Sequence, residues 1–286
     1  VNYRHHFHAG NFADVMKHAL LVQLARALQR KPGGFLFVDT HAGRGAYILT
    51  QAKKGASVAR QPEYPDGIGR LWPKQDLPPG LADYVGLVRG FDRRAETPLT
   101  PHFYPGSPCL MQLLARPQDR LALCERQLEE AKILRKNLLS KERVLVKVGD
   151  GYAALRGWLP PLEKRALVLV DPPFEEEKEG EQIVAAMAEA LRRLPTTVCA
   201  IWYPLTGRVR AATLLEGLRQ LPKTPTLVAD IIVEPNAPRM NGCGLVILNP
   251  PWEFEAEART TMRYLATVLA RAPGVTSTVR WLVPEK

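Results

Sequence analysis

From residue 120 onward the chain alternates short apolar runs with amphipathic stretches, a rhythm that few folds can satisfy. RLALCE (120–125), RVLVKVGD (143–150), ALVLVD (166–171), TVCAIWYP (197–204) and TLVADIIV (226–233) read as strands. Between them, ERQLEEAKILRKNL, GYAALRGWL, GEQIVAAMAEALRRL and RVRAATLLEGLRQL carry apolar residues at helical spacing. Strands joined by helical crossovers form a parallel sheet with helices on its faces. FLFVD (35–39), which follows a helical pattern from about Asn11 to Arg30, adds a sixth strand. GLVILNP (244–250) breaks the rhythm. The turn-rich EPNAPRMNGCG before it is too short for a crossover helix, so these last two strands should form an antiparallel hairpin.

Six parallel strands plus a seventh, antiparallel strand is the sheet of Rossmann-like methyltransferases, so the expected class is α/β. We read residues 1–286 as one domain. Residues 50–105, rich in proline and glycine, read as an inserted small helical subdomain, because Tyr64, Trp72, Tyr84, Leu87 and Phe91 need somewhere to pack. No apolar run approaches the roughly 20 residues that span a bilayer. The stretch VNYRHHFHAGNF lacks the apolar core of a secretory leader, so a cytoplasmic protein is expected. A monomer is expected too, since no apolar helix is left over for an interface. The formal net charge of +10 suits a polyanionic partner. Cys109, Cys124, Cys199 and Cys243 are far apart, with no CxxC pair, and read as reduced core residues.

In open α/β sheets ligands bind beyond the C-terminal ends of the parallel strands. Strand one ends in Asp39, followed by His41, Gly43 and Gly45: an acidic residue before a G-x-G turn. Tyr47 and Ile48 stand where a dinucleotide fingerprint would have its third glycine, which disfavours a nicotinamide dehydrogenase. Small residues let the backbone approach a nucleoside, yet any tight turn wants glycines, so the turn alone does not separate the two readings. Glu125 ends the second strand, where a carboxylate can accept from ribose hydroxyls. Asp150, before Gly151, ends the third and can accept from an adenine amine. Each carboxylate alone could be a helix cap or a solvated loop residue. Three in succession after a glycine turn point to an S-adenosylmethionine site.

Two strands end alike, in DPPF (171–174) and NPPW (249–252). The first shares an edge with the acidic strand ends. The second ends an antiparallel strand and so belongs at the opposite edge, where Asn249 and Trp252 are expected to be structural, with Trp252 packed. An adenine N6 amine is a poor nucleophile, because its lone pair is delocalised into the ring. The Asp171 carboxylate and the Pro172 carbonyl can accept its two hydrogens and favour the charge that develops on nitrogen. Phe174 offers a stacking face, worth about 1–3 kcal/mol for a flipped base.

YRHHFHAGNFADVMKH (3–18), VDTHAGRGAY (38–47), YPGSP (104–108), VDPPF (170–174), WYP (202–204) and GLVILNPPW (244–252) together resemble bacterial 23S rRNA (adenine-N6)-methyltransferases of the RlmJ type. The resemblance covers essentially the whole chain. It implies a Rossmann-like core with an inserted helical subdomain, S-adenosylmethionine as methyl donor and one adenine of large-subunit rRNA as target. It places His18, His41, Gly43, Ser107, Glu125, Asp150, Gly151 and Asp171 around the cofactor, Asp171 at the reacting amine and Tyr3 against the RNA. Phe174 departs from the tyrosine expected at its motif position, keeping the stacking face and losing a hydroxyl.

Other readings are weaker. His5, His6 and His8 lack a second ligand set, and no CxxC or HExxH motif is present, so no metal is expected. Lys132, Arg135, Lys136, Lys141 and Arg143 form a basic run that is ordinarily a solvated face and could also touch RNA. A DNA adenine methyltransferase would use the same pocket, and a non-catalytic RNA-binding assembly factor could share the fold.

Overall fold

The computed structural model describes residues 7–49, 61–92, 100–140, 142–206, 208–235 and 240–285. Helix α1 (Phe12–Gln29) begins at Asn11, whose side chain caps the backbone N–H groups of Ala13 and Asp14. Apart from Arg26 and Gln29 the whole helix is buried, including Asp14, Lys17 and His18. Such a helix lies inside the molecule rather than on its surface. Strand β1 (Leu36–Asp39) follows, then a short antiparallel pair, β2 (Ala46–Ile48) with β3 (Phe103–Pro105). Between β2 and β3 stand a single helical turn (Tyr64–Asp66), α2 (Ile68–Leu71) and α3 (Pro79–Asp92). Tyr84 and Phe91 are buried, and Tyr64 and Trp72 pack against the same core as α1. Residues 50–60 and 93–99 of the expected insertion lie outside the described residues.

Helix α4 (Ser107–Leu114) leads into the regular half of the chain: β4 (Arg120–Glu125), α5 (Leu128–Asn137), β5 (Val144–Val148), α6 (Gly151–Trp158), β6 (Ala166–Val170), α7 (Glu179–Arg193), β7 (Val198–Leu205), α8 (Arg208–Arg219), β8 (Thr226–Ile232) and β9 (Gly242–Leu248). Helix α9 (Phe254–Val268) and strand β10 (Thr276–Val283) close it. The sheet runs β10-β8-β9-β7-β6-β1-β4-β5. Strand β9 pairs antiparallel with both β7 and β8, which makes it the inserted, reversed strand expected from the short loop before it. The sheet has eight strands rather than seven, because β10 adds antiparallel to β8 at the edge. Alternating polar residues in TSTVRWLV, with one face open to water, hide that strand in the sequence.

Side chains alternate between the two faces of a strand. Phe37, Leu121, Leu123, Leu167 and Leu169 face the core shared with α1, α3, α4 and α9, whereas Val38, Val168 and Val170 face α7. The same alternation puts Asp39 and Glu125, the last residues of β1 and β4, and Asp150 and Asp171, just past β5 and β6, on the α1 side. The four cysteines are buried and form no disulfide with one another. Among the described residues no helix is long and apolar enough to cross a membrane.

The NPPW end lies at the opposite edge of the sheet, as its strand direction requires, with Leu248 paired to Cys199 at the start of β7. Asn249 takes φ +51° and donates to the carbonyls of Pro195 and Thr197, a structural tie. The expectation for Trp252 is corrected: its side chain is 75% exposed instead of packed, because Phe254 is the aromatic that enters the core at the start of α9.

Candidate active site

The glycine turn after β1 is held from both sides. Asp39, fully buried, accepts from the His41 backbone N–H at 3.1 Å and from the Ser107 hydroxyl at 2.7 Å. Gly43 adopts φ +59°, and its N–H donates to Glu125 Oε2 at 2.9 Å. Glu125 Oε1 accepts from the Gln127 N–H at 2.8 Å. Burial raises the Glu125 carboxyl above its ordinary range, against the pull of these backbone donors. Asp150 caps α6 through Oδ1 alone, accepting from Tyr152 and Ala153. A Cβ on Gly151 would stand 2.0 Å from the Thr40 carbonyl oxygen, so only glycine lets α6 approach the first strand end this closely.

His41 packs edge-on to Tyr152 with ring centroids 5.3 Å apart, and Nδ1 meets the Thr40 hydroxyl at 2.9 Å. Burial lowers its pKa to about 4, despite the opposing pull of Asp171 and Asp150, so the ring is neutral at physiological pH. His18, on α1, is buried with Nδ1 2.8 Å from the Tyr104 hydroxyl.

Asp171 follows the fully buried β6 and turns toward α1. There Lys17 Nζ lies 2.5 Å from Asp171 Oδ2 and 2.9 Å from Asp14 Oδ1. Burial opposes the lysine charge, but the two carboxylates outweigh it and its pKa stands well above the ordinary value. Asp171 is thus fixed in direction by a cation that is almost wholly buried. Phe174 adopts φ +53° and meets Trp202 edge-on at 5.9 Å; the Lys17 ammonium lies 5.9 Å from the Trp202 ring centre. An aromatic pair, Phe174 just past β6 and Trp202 on β7, therefore stands near the Lys17–Asp171 pair.

The sequence-predicted residues His41, Gly43, Ser107, Glu125, Asp150, Gly151, Asp171, Pro172 and Phe174 thus gather along the C-terminal edges of β1, β4, β5 and β6. Tyr3 lies outside the described residues. Lys17 and Trp202 were not singled out by sequence reasoning. Lys17 had a signal: a lysine inside an otherwise apolar helical stretch, one turn after Asp14. The donor set suits S-adenosylmethionine. Carboxylates at successive strand ends can accept hydroxyl and amine hydrogens, Gly43 presents backbone with no side chain at the turn, and the nearby imidazole is uncharged, so it does not repel a sulfonium. Among the described residues no group of three or more His, Cys, Asp or Glu is placed to hold a metal ion.

Asp39 gives the site a measurable pH signature. Burial lifts its pKa to about 7, against the Ser107 hydrogen bond. The folded state binds this proton more tightly than the unfolded chain, so the contribution is fully present below about pH 4 and lost as pH rises through about 7. In urea unfolding between about pH 5 and 7, Asp39→Asn should remove a downward slope approaching about 1.4 kcal/mol per pH unit. Identical slopes in the two proteins would refute the assignment.

Comparison with known proteins gives a consistent result. The family model described as "Ribosomal RNA large subunit methyltransferase D, RlmJ" matches residues 32–283. The chain is 36% identical over 288 residues to "Ribosomal RNA large subunit methyltransferase J" of Escherichia coli (strain K12), with the full length of both covered. It is 35% identical over 287 residues to the protein of the same name from Haemophilus influenzae, again with full coverage. The crystal structure of a protein from Legionella pneumophila superposes with a TM-score of 0.86 at 32% identity, covering 96% of this chain and 98% of that one. This chain therefore belongs to the RlmJ family of ribosomal RNA large subunit methyltransferases.

Proposed function

We propose that the protein is an S-adenosylmethionine-dependent 23S rRNA methyltransferase acting on the exocyclic N6 amine of one adenine. The observation that carries the amine assignment is Asp171, set by buried Lys17 beside Pro172, Phe174 and Trp202 at the edge of the glycine turn. Bound S-adenosylmethionine supplies an electrophilic methyl group on a sulfonium. His18, His41, Gly43, Ser107, Glu125, Asp150 and Gly151 are its proposed contacts, as the family resemblance implies. The Asp171 carboxylate and the Pro172 carbonyl accept the two N6 hydrogens. They draw the nitrogen toward tetrahedral geometry and counter its growing positive charge. The prolines fix the direction of that carbonyl. Phe174 and Trp202 provide the apolar surface on which an unstacked base can rest. Tyr3 is proposed to meet the RNA, and the excess of basic residues favours a polyanion.

We read the chain as a single methyltransferase domain with an insertion over 50–105, monomeric and acting in the cytoplasm. The test is incubation with labelled S-adenosylmethionine and protein-free 23S rRNA lacking native modifications, with duplex DNA alongside, followed by nucleoside mass analysis. N6-methyladenosine in RNA alone is the expected result. Label in DNA, or a different methylated nucleoside, would overturn the proposal.

A further inference from the structure

The backbone of Phe174 needs support. At φ +53° it lies in the left-handed region, which a bulky side chain seldom adopts and which costs about 1–3 kcal/mol where it persists. Residues 172–178 contain neither helix nor strand to impose it. On the near side the segment is fastened at Asp171 by Lys17. On the far side it is fastened by two groups from the cofactor half of the site. Arg126, directly after Glu125, places a guanidinium nitrogen 3.3 Å from Glu176 Oε1, and Gln182 donates to the other Glu176 oxygen at 3.2 Å. Tyr152, directly after Gly151, donates its hydroxyl to Glu179 Oε1 at 2.5 Å. Glu179 is buried, and burial raises its carboxyl above the ordinary range, against the pull of that hydroxyl. The Arg126–Glu176 pair is open to water and contributes weakly; the Tyr152–Glu179 bond is the stronger tie.

Both ties run across the sheet. Strands β4 and β6 flank β1, so their ends stand about 10 Å apart with the glycine turn between them. Beyond the effect of burial, the Arg126 charge also disfavours a proton on His41, as a guanidinium near the end of β1 must. The His41 ring packs in turn against Tyr152.

We propose that Tyr152 and Arg126 are positioning residues that fasten the segment behind DPPF across the end of β1, and so hold Phe174 in the backbone geometry that presents its ring to the base. The assignment rests on the reading that Phe174 receives that base. It joins the cofactor wall to the base-receiving wall through two side chains that need not touch the reacting atoms.

Trp202 reports the position of the Phe174 ring, because the two meet edge-on. Fluorine spectra of protein carrying 5-fluorotryptophan read it, with Trp202→Phe used for assignment and Phe174→Leu marking where the resonance falls once the ring is gone. Tyr152→Phe keeps the ring against His41 and deletes only the hydroxyl. Glu176→Ala changes an exposed residue and removes both of its ties. Each should move the Trp202 resonance toward its place in Phe174→Leu. With cofactor and RNA saturating, the single-turnover rate should fall about tenfold in Tyr152→Phe and about two- to fivefold in Glu176→Ala. Affinity for S-adenosylhomocysteine, read by titration calorimetry, should stay within about twofold of wild type in both. Removing a negative charge beside a polyanion would by itself favour RNA, so charge does not explain a slower Glu176→Ala. A Trp202 resonance unmoved in both variants would overturn the proposal, and so would a moved resonance with unchanged rates. If the resonance moved while the wild type made no N6-methyladenosine, the reading beneath would fall and the fastening of the segment would stand.

Discussion

Asp171→Asn is expected to transfer methyl groups to 23S rRNA at least about 100-fold more slowly than the wild type, the usual scale for losing one group aimed at developing charge. The amide keeps the size of the side chain and one acceptor oxygen. It replaces the other acceptor with an N–H group pointed at hydrogens it cannot bind. It also strips Lys17 of one of its two anionic partners, so the remaining oxygen loses the contact that fixes its direction. The rate should be measured in single turnovers with cofactor and RNA both saturating, so that a change in binding does not masquerade as a change in chemistry. A rate within about tenfold of wild type would show that this carboxylate is not what prepares the amine.

Lys17→Met should act chiefly on stability. Lys17 is 4% exposed and lies between Asp14 and Asp171. Methionine fills much of the same volume but leaves two carboxylates without their cation. Removing one partner of a buried ionic cluster costs about 3–5 kcal/mol, most of it the penalty of the stranded charges. Asp14 is held in place from its other oxygen by the Gly10 N–H at 3.0 Å, which hinders it from swinging out to water. The double variant Asp14→Asn/Lys17→Met should recover part of the loss, because one stranded charge is gone. Urea unfolding of the two variants beside wild type makes the comparison. A double variant no more stable than Lys17→Met would mean that lost packing, not stranded charge, dominates. Since the folded lysine pKa lies above its ordinary 10.5, the stabilisation it brings is fully present below that pH and constant through the neutral range.

The alternation of strands and helices, the reversed β9 and the edge on which DPPF sits were legible because they follow from hydrophobic periodicity, loop length and strand direction. Period-two alternation counted from Leu167 and Leu169 would also have put Asp171 on the face toward α1. Strand β10 was not legible. Its apolar residues alternate with Thr, Ser and Arg, so half of it reads as surface. Helix α9 begins after Glu253 at φ +66°, with no side-chain cap to announce it. Lys17 escaped for a different reason. Its partner Asp171 lies 154 residues away, and the local signal, a lysine one turn after Asp14 in an apolar stretch, does not say which distant carboxylate it meets. The contact between the Tyr84 and Tyr104 hydroxyls is hidden likewise, because two tyrosines 20 residues apart meet only after β3 closes on β2. Trp252 shows the converse: a large apolar residue next to a strand end invites a buried reading, whereas the sharp turn there sends Phe254 inward instead.

The position of β9 also bears on when this sheet can assemble during synthesis. Strand β8 lies between β9 and β10, both later in the chain. When the ribosome has released β1 through β7, a five-stranded parallel sheet can already form, with β7 as its exposed border. The next strand to emerge cannot join that border, because the place beside β7 belongs to one not yet made. Released early, β8 is an apolar ribbon waiting for a partner, and in that interval it is the segment of the nascent chain most in need of shelter from other chains.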